Sequence, residues 1–118
     1  MMDIKEVMGF KVTTEITRVK GAATIESLIL FSEHESKAEP ENNIWVEIHI
    51  GFEGAAFKSS VISFGYSGDL KDSEAMRELA VELTNEYAPC MAEELIKLLP
   101  DPEKVLQYDI IEMETNNE

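Results

Sequence analysis

From Ile44 onward the chain alternates cleanly: Ile44, Val46, Ile48, Ile50 and Phe52 share one parity, while Glu47 and His49 take the other. That is the pattern of a strand with one buried face. After the turn-like Glu53-Gly54-Ala55 the period of two returns and predicts a strand over 56–66, ended by Ser67-Gly68-Asp69. Upstream, Phe10, Val12, Thr14 and Ile16 alternate with Lys11, Thr13, Glu15 and Thr17, a β-branched composition that predicts a strand over 10–20. Gly21-Ala22-Ala23 punctuates it, and a second strand is expected over 24–32. Its run Leu28-Ile29-Leu30-Phe31 is apolar on both parities, as in a sheet covered on both sides or paired with another subunit. The polar, acidic stretch 33–43, with Pro40 inside it, reads as a hairpin loop.

From Asp72 the period becomes helical. Asp72 or Ser73 can cap the helix, and Glu74 suits the positive end of its dipole. Met76, Leu79, Ala80, Leu83 and Tyr87 fall on one arc, and after Pro89 the arc carried by Met91, Leu95, Leu98 and Leu99 lies on the order of 80° away. Proline lacks a backbone donor and clashes with the preceding turn, so the pattern predicts two helical pieces meeting at a kink or short break at Pro89, each packing on its own neighbour. Pro100 and Pro102 end the second piece. Residues 103–113 form a short element whose type the pattern leaves open, ahead of a polar tail over 114–118. The expectation is a single α+β domain over 1–113, with four strands followed by a long, Pro-interrupted helix that packs on them.

Composition narrows the chemistry. A chain of 118 residues, 44% hydrophobic and 29% charged, fits one globular domain. Twenty-four acidic residues against ten basic ones give a net charge of −14, which repels phosphate backbones and anionic membranes and argues against direct nucleic-acid binding. The lone Cys90 allows no internal disulfide and fits a reducing compartment. No uninterrupted apolar leader or membrane-length run is visible, so a cytoplasmic location is expected.

Few residues invite catalysis. Cys90 follows Pro89 near the start of a helical piece, where a thiol can be activated, but a nucleophile needs a base, and the only histidines are His34 and His49. A small core or interface hydrophobe is the plainer reading. Glu47 and His49 share a strand face and could exchange a proton, yet such same-face pairs are ordinary in sheets. Two distant histidines and one cysteine do not make a metal site, and single glycines make no phosphate cradle. The expectation is no enzyme and no cofactor. The row Glu74, Glu78, Glu82 and Glu86 places like charges four apart, which costs a few tenths of a kcal/mol per pair. Arg77 can relieve part of it, and the row reads as a solvated face or as a surface for a basic partner. Trp45 stands on the polar parity of its strand and, with Phe31, suggests an interface. Phe57, Phe64, Tyr66 and Tyr87 are further groove or interface aromatics that a core would also use.

Over residues 10–110 the layout resembles the SecB-like family of export chaperones. The resemblance rests on the Ile/Val-rich strand NIWVEIHIGFEG, the following AAFKSSVISFGYSGDL, and a helical segment with Tyr87-Ala88-Pro89 ahead of EELIKLL. It departs where Cys90-Met91-Ala92 replaces the family's aromatic signature after the helix proline, and where the chain ends in ETNNE. The resemblance implies a four-stranded antiparallel sheet, assembly into a dimer or tetramer, and ATP-independent holding of unfolded or apolar polypeptide segments. The alternative is an acidic inhibitor or immunity-type protein that covers a basic partner surface by polyanion mimicry.

Overall fold

The computed structural model describes residues 7–53, 60–99 and 102–117, the last two by backbone alone. In chain order these residues form β1 (Val7–Arg18), β2 (Gly21–Glu33), β3 (Ile44–Phe52), β4 (Ser60–Tyr66), α1 (Ser73–Ile96) and β5 (Val105–Asn117). The architecture is α+β, but the antiparallel sheet has five strands rather than four, in the order β4-β3-β2-β1-β5. The stretch left open at 103–113 supplies most of the fifth strand. The supposed tail from Glu114 continues it, since Glu114 pairs with Lys11 and Thr115 with Phe10.

β3 has the bounds its alternation predicts. β1 starts earlier than expected, at Val7, and ends earlier, at Arg18, because the β1–β2 hairpin turns on two residues, Val19 and Lys20; the stretch 21–23 therefore already belongs to β2, which is longer than expected. Gly21 allows this: its φ of 101° lies in the left-handed region that a side chain disfavours. The first four residues predicted for β4 lie outside the described residues.

The expected break at Pro89 is absent, and α1 is one helix of 24 residues. Pro89 deprives the Asn85 carbonyl of its usual partner, and Asn85 is exposed, so water can serve that oxygen. Both halves pack into one core. The buried residues follow two rows at spacing four: Met76, Ala80, Thr84, Ala88, Ala92 and Ile96, and beside them Leu79, Leu83, Met91 and Leu95. At about 100° per residue, each step of four advances the row by roughly 40°. The apolar stripe therefore winds steadily around the helix, and the rotation between its ends is gradual. All of these residues join a single core with Phe10, Val12, Ile16, Ile25, Ile29, Phe31, Ile44, Val46, Ile48 and Ile50.

The helix start is the one foreseen: the Asp72 carboxylate accepts from the Ala75 amide at 3.0 Å. Gly68 makes the sharp exit from β4, where an added Cβ would meet Met76 Cε at 3.0 Å and Ile44 Cδ1 at 3.2 Å. The Asn43 side chain brackets Gly68, accepting from its amide at 3.1 Å and donating to its carbonyl at 2.6 Å. α1 then carries the chain from one edge of the sheet to the other, packing against β1, β2, β3 and β5.

Candidate functional site

One helix covers one face of the sheet. The other face is built from the opposite parities: Trp45, Glu47 and His49 of β3, Leu28 and Leu30 of β2, Lys11 of β1 and Val61 of β4. Cross-strand pairing sets Val61 beside His49, His49 beside Leu28 and Leu30 beside Glu47. Among the described residues no helix or strand lies over this face. Leu28, Leu30 and Trp45 are half-buried, and Val61 is 50% exposed. The doubly apolar stretch of β2 thus has one parity in the core and the other on an open surface.

Trp45 is partly covered from within the chain. The His34 ring lies over it, with centroids 5.0 Å apart, and the two line a shallow hollow with Ser32 and Glu33. Gly65, the cross-strand neighbour of Trp45, leaves room for this loop, since an added Cβ would meet Asn42 Cβ at 3.3 Å. Of the other expected interface aromatics, Phe31 is fully buried, edge-on to Phe10 at 5.8 Å, so it is a core residue and cannot meet a partner. Phe57 lies outside the described residues. Phe64, Tyr66 and Tyr87 come together: Phe64 is 6.1 Å from Tyr66 and 5.4 Å from Tyr87. They form a partly exposed aromatic group where β4 meets the helix side of the sheet.

The remaining candidates stay apart. Glu47 and His49 do pair, at 3.0 Å, on the open face, and Lys11 and Glu26 pair there at 3.4 Å. Cys90 is exposed on α1, outside the core, while His49 pairs with Glu47 on the opposite face of the sheet and His34 lies against Trp45. Glu74, Glu78, Glu82 and Glu86 are all exposed, and among the described residues none of them forms an ion pair. Arg77 serves the row less than expected, because its guanidinium donates to Thr115 Oγ1 at 2.8 Å and so ties α1 to β5. Among the described residues no group of three or more His, Cys, Asp and Glu side chains is gathered as a metal ion would need. No helix there is long and apolar enough to cross a membrane.

The helix side holds a few polar groups. Thr14 donates to the Ile25 carbonyl at 3.3 Å and Thr84 to the Ala80 carbonyl at 2.7 Å. The Tyr108 hydroxyl is buried with no hydrogen-bond partner of good geometry, and burial pushes its pKa up, partly offset by the nearby Thr14 hydroxyl. Sequence reasoning missed Val61 as a surface residue, because its strand gives no sign of which parity the helix will cover. It also missed Leu106 and Ile111, 59% and 56% exposed, which stand unpaired at irregularities of β5.

Comparison with protein-family models, curated proteins and solved structures finds no match to this chain.

Proposed function

We propose that the chain holds non-native, apolar polypeptide segments on the open face of its sheet, without nucleotide, metal or cofactor, as its resemblance to the SecB-like chaperones implies. The observation that carries the reading is the strip of Leu28, Leu30, Trp45 and Val61, which no described helix or strand covers, while Ile25, Ile29, Phe31, Val46, Ile48 and Ile50 on the opposite parities of the same sheet are fully buried. A net charge of −14 keeps a molecule with such a strip in solution. A cytoplasmic location belongs to the same reading.

The test is suppression of aggregation of a chemically unfolded client, followed by light scattering, with binding of the labelled client measured alongside. Wild type is expected to suppress aggregation at micromolar concentration. Leu30→Glu with Val61→Glu should weaken client binding by about tenfold, or ~1.4 kcal/mol. Absence of suppression, or a double variant that binds as well as wild type, sinks the proposal.

A second reading has an observation of its own. Glu74, Glu78, Glu82 and Glu86 of α1 are exposed and, among the described residues, unpaired, a line of negative charge that fits a basic partner. On that reading salt strongly weakens capture of the partner, whereas apolar holding survives salt. Unchanged binding after Glu78→Lys with Glu82→Lys removes it.

A further inference from the structure

The two edges of the sheet are made in opposite ways. β5 is irregular opposite Thr13/Thr14 and again opposite Thr17/Arg18, and it carries Asp109, Glu112 and Glu114. Bulges and charges are the usual means of keeping an edge from pairing with another chain. β4 has neither. Its seven residues, Ser-Val-Ile-Ser-Phe-Gly-Tyr, contain no charge and no proline, and they pair with β3 without a register shift. Among the described residues no strand pairs with the other side of β4. In a chain of net charge −14, this uncharged edge is where a second acidic copy meets least repulsion.

We infer that β4 is a self-pairing edge: two copies join antiparallel, β4 to β4, about a two-fold axis at Ser63. The sequence is self-complementary in that register. Ile62 faces the partner's Phe64 and Ser60 the partner's Tyr66 on the helix side, while Val61 faces the partner's Gly65 on the open side. Each larger side chain meets a smaller one, and parities match, so core-side residues stay on the core side. Ser63, exposed on the open side, meets its own copy. The partly exposed group of Phe64, Tyr66 and Tyr87 then gains cover from the partner's Ile62. The product is one ten-stranded sheet with both helices on one face and both open faces on the other. This goes beyond the client reading and does not depend on it.

Sedimentation of wild type, Ser63→Glu, Ser63→Lys and an equal mixture of the two variants tests the pairing. Like charges at the axis should leave each variant monomeric with unchanged circular dichroism, and the mixture should recover the dimer. A Cα separation across such a pair suits a disulfide. In a Cys90→Ser background, Ser63→Cys should therefore oxidise to a covalent dimer, while Val61→Cys should not. Three results overturn the inference: wild type monomeric at the highest soluble concentration, a dimer unaffected by Ser63→Glu, or cross-linking at residue 61 instead of 63. Client holding by a monomer would leave the proposed function standing while this inference fails.

Discussion

The two faces of the sheet start from the same alternation and end in different environments. Toward α1, Ile25, Ile29, Phe31, Val46, Ile48 and Ile50 are wholly excluded from water. On the other side, Leu28, Leu30 and Trp45 alternate with them along the same strands and stay half-exposed, Trp45 beneath the His34 ring. The difference is one helix. α1 presents small side chains, Ala80, Thr84, Ala88 and Ala92, along one of its buried rows, so it can lie close to the strands and exclude water over its length. Among the described residues, one helix and five strands, none lies over the second face. The open face mixes leucine, valine and tryptophan with the Glu47–His49 and Lys11–Glu26 pairs.

The largest expected contrast is between core and strip. Ile48→Ala should lower unfolding free energy by about 2–5 kcal/mol, whereas Leu28→Ala on the adjacent strand should cost about 1 kcal/mol or less, both read from urea denaturation. Equal losses would mean that the open face is covered and the comparison is wrong. Next in size is Pro89→Ala, which restores the bond to the Asn85 carbonyl and removes the ring clash. It should stabilise the protein by about 1–3 kcal/mol. A loss instead would mean that the cover over the core is two pieces needing a break between them.

The smallest effect is confined to alkaline pH. Burial raises the Tyr108 pKa in the folded chain, so the unfolded chain ionises first, near its ordinary value of about 10. The folded state then holds a proton that the unfolded state has lost. This contribution is fully present below about pH 10 and is lost as pH rises toward the folded value. Tyr108→Phe should flatten that decline in a pH series of denaturation midpoints. An unchanged decline would place the Tyr108 hydroxyl in water.

Much of the fold was legible before any coordinates. β3 alternates without interruption, so its bounds follow from its residues, and Asp72 caps α1 because a short acidic side chain just ahead of an apolar-periodic stretch has few other uses. β5 was illegible for a definite reason. Its two irregularities leave Leu106 and Ile111 unpaired and shift the parity twice, which erases the period of two over a stretch that is otherwise acidic. Pro89 misled in the other direction. The cost of proline in a helix falls on the residue four earlier, and whether that residue faces water is settled by how the helix lies. The candidate site was half visible: Leu28, Leu30 and Trp45 stood out as apolar on the wrong parity, but Phe31 was grouped with them although its parity belongs to the core.

The sequence by itself determined the alternating strands, the helix and its cap, and an excess of negative charge, because these depend on neighbours a few residues apart. Only the tertiary structure decided which parity is core, that residues 105–117 close the far edge of the sheet, and that β4 is left as a plain, uncharged edge. Those outcomes turn on where a single helix crosses five strands, a matter of contacts between residues distant in the chain.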